Sequence, residues 1–247
     1  MYEDYVRFKH KDKTMLSEGG YYYHLMYKKL LETNLPENYA VRLLYLATYV
    51  NYDNCIVTGQ GGSLHELNMK EVRELLDLSI PEAIRTVKYL KTKGFLIEHE
   101  DGAVYINSEF CNKGKTKIDD GTTRLFEAGF RQLYKNVPPT SHKTMYLMVQ
   151  ILPYVNLHHN IICRNPLEVD KVKLDIMLWG DLGRELGLSV DQGKKLRSKI
   201  ARFKINDKDC VAEFKTASGD RHYLLVNPRL FWGSNTGKYA DIAALYD

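Results

Sequence analysis

The side chains best placed to do chemistry fall into two clusters of arginine and lysine. Arg85, Lys88 and Tyr89 form the first; Lys194, Lys195, Arg197, Ser198, Lys199 and Arg202 form the second, with Lys215 and Arg221 downstream. Their spacing puts Arg85, Lys88 and Tyr89, and likewise Lys194, Lys195, Ser198 and Arg202, on the outer face of a helix whose other face is apolar, with Arg197 and Lys199 on the flanks. A guanidinium held rigidly can grip a phosphate, or the O6 and N7 of guanine, with two parallel hydrogen bonds; an ammonium neutralises phosphate as a point charge. The chain carries a net charge of only +4. Ser79–Lys93 nevertheless holds a net +3 and Val190–Lys204 a net +5, so the positive charge is concentrated on these two segments. The expectation is that Arg85 and Arg202 read base edges, while the lysines contact the backbone.

Each cluster lies within the same succession of elements. In Val72–Phe110 a capping box at Asn68–Glu71 opens one helix, Asp77-Leu78 turns, and Ser79-Ile80-Pro81-Glu82 opens a second. In Leu182–Phe231, Gly187 marks the turn and Ser189 to Gln192 repeats the box. On the first basic helix Ile80, Ala83, Ile84, Val87 and Leu90 are expected to be buried, with Glu82, Arg85, Lys88, Tyr89 and Thr92 facing away. On the second, Gly193, Leu196, Ile200 and Phe203 form the stripe. The two stripes do not superpose perfectly at the serines, which points to a small insertion within the second helix. A hairpin follows each helix pair. The first, Phe95–Asn107, turns at Glu100-Asp101-Gly102; the second joins Cys210–Lys215 to His222–Asn227 through Ala217-Ser218-Gly219-Asp220. The acidic tip of the first and the Lys215/Arg221 flank of the second predict that the C-terminal unit binds more strongly.

Helix, turn, helix and hairpin define a winged helix, so the expected fold is α+β, mainly helical, with two tandem winged-helix domains. The repeat extends upstream. Tyr21–Glu32 has helical spacing, Tyr39–Tyr49 is a stronger amphipathic helix, and Tyr49-Val50-Asn51 recurs as Tyr154-Val155-Asn156. Loop insertions explain why the interval between matching residues grows towards Ser79 and Ser189. The expected division is a basic arm over 1–19, a first domain over 20–112, a linker over 113–123, a second domain over 124–233 and a tail over 234–247. A short helix is expected at Asp241–Tyr246, and loops at Gly59–Ser63 and Arg164–Lys173.

Each hairpin leads into a similar phrase, "YINSEFCNKG" (Tyr105–Gly114) and "LVNPRLFWG" (Leu225–Gly233). Placed after a wing, this resembles the winged-helix replication proteins of Firmicute plasmids and phages, although Ser108 stands where that pattern has proline and this chain carries two units. The resemblance covers about 40 residues of each half. It implies double-stranded DNA binding on a mobile element, as transcriptional regulator or replication initiator, with no catalytic residues. A second copy, or a replication or transcription protein, is the other partner class it admits.

Enzyme motifs are incomplete. His158-His159 lacks the spacer of a metal-binding His-x-His pair, and Gly114-Lys115-Thr116 lacks the first glycine of a phosphate loop, since Glu109 stands there. Cys55, Cys111, Cys163 and Cys210 are scattered, as buried thiols are. The expectation is a non-enzymatic protein without cofactors. With no long apolar run and no signal-type N-terminus, it is expected in the cytoplasm of a bacterial host, away from membranes. Two rivals remain: a protein-interaction adaptor whose winged helices no longer bind DNA, and an RNA or single-strand binder in which Tyr21-Tyr22-Tyr23 stack on bases.

Overall fold

The repeated sequence becomes a repeated structure in the computed structural model, which describes residues 20–59, 63–113, 116, 121–216, 219, 221–233 and 239–247. The first half runs β1 (Tyr22–Leu25), α1 (Tyr27–Glu32), α2 (Glu37–Ala47), β2 (Val57–Thr58), β3 (His65–Glu66), α3 (Met69–Leu75), α4 (Ile80–Thr92), β4 (Leu96–Glu98), β5 (Val104–Ile106) and β6 (Cys111–Asn112). The second runs β7 (Thr123–Phe126), α5 (Glu127–Asn136), α6 (His142–Met145), α7 (Leu147–Gln150), α8 (Trp179–Glu185), α9 (Val190–Lys194), α10 (Leu196–Ile200), β8 (Lys204–Ile205), β9 (Lys208–Asp209), β10 (Val211–Lys215), β11 (His222–Val226) and β12 (Phe231–Trp232). Helix α11 (Tyr239–Ala243) follows. The chain is thus mixed α+β, with several small antiparallel sheets. Among the described residues no helix is long and apolar enough to cross a membrane. The expected basic arm over 1–19 lies outside the described residues, as do Gly114-Lys115 and most of the Ala217–Asp220 turn.

Matching residues make matching backbone hydrogen bonds. The Ile56 amide donates to the Val104 carbonyl (2.8 Å) as Ile162 donates to Leu224 (2.9 Å), and Leu67 donates to Ile56 (2.9 Å) as Met177 donates to Ile162 (3.1 Å). The similar phrases owe their shape to their asparagines. Asn107 Oδ1 accepts from the Glu109 amide and Asn227 Oδ1 from that of Arg229, both at 3.0 Å, which turns each chain into its final short strand.

Those strands meet in a four-stranded sheet that unites the halves, in the order β12-β7-β1-β6. Within it β1 pairs antiparallel with β7, placing His24 opposite Arg124 and Leu25 opposite Thr123. Leu25 also faces Cys111 on β6, just as Leu125 faces Phe231 on β12. Met26 donates to the Phe110 carbonyl (3.0 Å), and Phe126 to that of Leu230 (3.1 Å). The halves are therefore related by a local twofold that passes through the His24/Arg124 pair.

Two sequence expectations change here. Tyr22–Leu25 is a strand rather than the start of a helix, because its pairing partners lie far along the chain, where a local periodicity cannot register them. The last residue of the expected linker over 113–123, Thr123, belongs to a strand of that same sheet, as do Cys111–Asn112 just before it.

The largest apolar cluster likewise spans both halves, with Tyr23, Leu43 and Leu90 joined to Phe130, Leu182 and Phe231. Helix α5 of the second half carries polar clamps onto the first. Its buried Glu127 takes Lys113 (2.7 Å) and Arg131 (3.3 Å). Arg131 donates to Thr48 Oγ1 (3.0 Å) and lies over the Tyr49 ring. Tyr134 stacks on Tyr45 with centroids 3.8 Å apart and donates to the Leu76 carbonyl at the end of α3 (3.0 Å). All four cysteines are buried free thiols.

Candidate nucleic-acid interface

In both halves the second helix of the pair is set by an opening cap and a left-handed turn residue. Asn68 Oδ1 accepts from the Lys70 and Glu71 amides at 2.9 and 3.1 Å, while Glu71 accepts from the Asn68 amide at 2.9 Å, closing the expected box. Asp77 (φ 51°) and Gly187 (φ 67°) make the equivalent turns. Aspartate tolerates this conformation better than most L-residues, and glycine adopts it freely. Ser189 caps as expected, accepting from the Gln192 amide at 3.4 Å.

Ser79 departs from the pattern: its side chain makes no cap hydrogen bond. Its expected partner Glu82 is drawn instead to Arg42, at 2.5 Å. Arg42 is 1% exposed and also donates to Thr86 Oγ1 at 2.8 Å. A guanidinium taken out of water requires a counter-charge more strongly than an exposed amide requires a carboxylate. Arg42 and Thr86 thereby fasten α4 to α2. The sequence carried a signal for this, since Arg42 interrupts the apolar run Ala40–Ala47.

The buried stripe of α4 consists of Ala83, Thr86, Val87 and Leu90. Ile80 and Ile84, expected inside, are 76% and 42% exposed. With Thr86 included, three positions superpose: Ala83 matches Gly193, Thr86 matches Leu196 and Leu90 matches Ile200, all buried, whereas buried Val87 is matched by exposed Arg197. The insertion predicted within the second helix therefore lies after it, as the hairpin β8–β9, whose turn uses Asn206 and Asp207 at positive φ. A hydroxyl at position 86 hid the match, because Thr86 is buried through its bond to Arg42 and not through apolarity.

Opposite these stripes lie the basic faces. On α4, Arg85 and Lys88 are exposed, and neither has an ion pair among the described residues. Tyr89 does not face outward; it is half-buried with its ring against Tyr39, centroids 4.8 Å apart. In the second half Lys195, Arg197, Ser198 and Arg202 are exposed and Lys199 is half-buried. Lys194 closes α9, but its side chain lies outside the described residues. Ser198 donates back to the Lys195 carbonyl at 2.9 Å. By the repeat, Lys195 occupies the place of Arg85, Ser198 that of Lys88 and Arg202 that of Thr92.

Each hairpin is fastened to its helix through a glutamate at the matching strand position, although the cation it takes comes from a different place on each helix. Glu98 on β4 pairs with Lys91, while Glu213 on β10 takes Arg197 (3.7 Å) and His222 (2.9 Å). The hydrogen bond from His222, with the Arg197 charge, holds the Glu213 carboxyl below the usual glutamate range against the effect of burial. Arg197 is therefore already committed to a carboxylate, whereas Lys215 and Arg221 remain exposed at the ends of the second hairpin. At the first hairpin's tip Glu100 and Asp101 are exposed.

The residues that suggested other chemistry are occupied structurally. His159 Nε2 lies 2.9 Å from the Val169 carbonyl, and the Asn156 side chain accepts from the amides of both His158 and His159. Tyr23 is fully buried and donates to the Leu44 carbonyl at 3.0 Å, Tyr22 is half-buried, and Tyr21 is 69% exposed. Among the described residues no group of three or more His, Cys, Asp or Glu could hold a metal ion. What geometry and chemistry define here is an α+β scaffold with exposed cations on the helical segment that follows the left-handed turn in each half. None of the known family models, curated proteins or solved structures matches the chain.

Proposed function

We propose that this chain is a non-enzymatic, sequence-specific double-stranded DNA-binding protein made of two tandem winged helices. One observation carries the reading: in each half the helical segment after the left-handed turn, α4 in the first and α9–α10 in the second, exposes cations opposite its buried residues, at positions matched by the repeat. Duplex DNA has local twofold axes of its own. A single chain with this symmetry meets the two strands as a dimer of single winged helices would, over about one to two helical turns. The preferred site is then an inverted arrangement with unequal arms, since Arg85, Lys88 and Thr92 face one arm and Lys195, Ser198 and Arg202 the other.

Arg85 and Arg202 act as base readers in this scheme, and Lys88, Lys194, Lys195, Lys199, Lys215 and Arg221 bind phosphate. The resemblance to plasmid and phage replication proteins supports a role as transcriptional regulator or replication initiator in a bacterial cytoplasm. Affinity measured over a salt series tests the proposal. Neutralising Lys194, Lys195 and Lys199 together should reduce the salt slope by about 1 per lost phosphate contact. An unchanged slope would overturn the assignment.

A second reading, a protein-interaction adaptor, draws on Leu167, Val169 and Val172, which are 53%, 67% and 73% exposed on one loop beside the second half. It predicts no retention on random duplex DNA at low salt.

A further inference from the structure

Among large apolar side chains of the described residues, Ile80 is the most exposed at 76%, and Ile84, one helical turn further along, is 42% exposed. Burying an isoleucine side chain is favourable, so a solvent-facing pair on one helix forgoes a sizeable gain. They are not stray surface residues. With Leu78 and Ala83 they form the apolar wall of a groove of about 450 Å³ between α3 and α4, whose other wall is Lys70, Arg73 and Glu74. Lys70 lies 3.9 Å from Glu74, the one acid on the rim, and Arg85 and Lys88 continue the cationic face along α4.

Two cations against one carboxylate, continued by Arg85 and Lys88 along α4, favour an anionic occupant that also offers a small apolar group. Duplex DNA meets both conditions at one base only: the C5-methyl of thymine is the apolar group on the major-groove floor. Ile80 is also the first residue of α4, and the N-terminal residues of a reading helix are those that reach base edges.

We infer that Ile80 and Ile84 read thymine methyl groups, making the arm under the first half thymine-containing beside the guanine contacted by Arg85. The inference rests on the duplex-binding reading above and adds which bases one arm contains. By the repeat, Val190 takes the place of Ile80 and Lys194 that of Ile84, so the two halves differ in residue type at the second of these positions.

The test begins with a duplex selected by the full-length protein from a random library. Each thymine is then replaced singly with deoxyuridine, which removes only the methyl. Affinity should fall about fourfold at one or two positions confined to a single arm, the effect of one buried methyl-sized group. In Ile80→Ser and Ile84→Ser, both at exposed sites, the thymine-to-deoxyuridine ratio at those positions should approach one while the fold, followed by circular dichroism, is kept. Specific binding indifferent to every deoxyuridine would overturn the inference and leave duplex recognition standing. A ratio unchanged in both serine variants would show that the groove takes another occupant and would equally overturn it. If no duplex is enriched at all, the duplex-binding reading itself falls.

Discussion

His24 and Arg124 stand directly opposite each other on the two central strands and occupy the same position in the two halves of the repeat. A twofold through that pair exchanges Leu25/Cys111 with Leu125/Phe231. The two cationic helices are consequently held by one sheet and one core, not by a linker. This sets the relation of each half to the other before any partner binds.

Cooperative unfolding follows. Because Glu127 is buried between Lys113 and Arg131, and Tyr134 anchors the end of α3, the halves should melt together. Urea unfolding followed by circular dichroism and by tryptophan fluorescence should give coincident transitions. Glu127→Ala should lower the common midpoint by roughly 3 kcal/mol of stability, since it strands two cations. Two separated transitions would contradict the shared core.

Arg42 should be among the most sensitive positions away from any exposed surface. Arg42→Ala removes a buried guanidinium from Glu82 and Thr86 and leaves the threonine hydroxyl unsatisfied. The expected loss is about 3–5 kcal/mol. Glu82→Gln should cost less, because an amide oxygen can still accept from the arginine. Equal losses in the two variants would show that the charge of Glu82 matters more than the hydrogen bonds of Arg42.

The equivalent turns should respond in opposite directions. Asp77→Gly relieves a left-handed L-residue and should be neutral or stabilising by up to about 1 kcal/mol, whereas Gly187→Val should destabilise by about 1–2 kcal/mol. Thermal melts of the two variants are sufficient to check this.

Stability should also fall on mild acidification. Burial, with the Arg42 charge acting in the same direction, pushes the His142 pKa down to about 4. An unfolded histidine takes up its proton near pH 6.5. Between those values the unfolded chain binds the extra proton, so the folded state loses ground as pH drops from about 6.5 to about 4. His142→Phe should flatten that part of the stability profile; a profile unchanged by the substitution would assign the acid sensitivity elsewhere.

Local chemistry determined much of this protein by itself. Capping residues, turn residues and apolar periodicity act within a few positions, so the two helix pairs, their hairpins and the cationic sides of α4 and α10 could be read from the chain, as could the match of Ser79 with Ser189. Tertiary structure decided the rest. Tyr22–Leu25 became a strand because its partners are Cys111–Asn112 and Thr123–Phe126, beyond the reach of any local window. Ile80 and Ile84 came outside, and Thr86 inside, because Arg42 on another helix supplied the partner that makes a buried hydroxyl affordable. Periodicity specifies which face of a helix is apolar; only packing against distant segments selects which residues at the margins of that face are covered, and how one half is turned against the other.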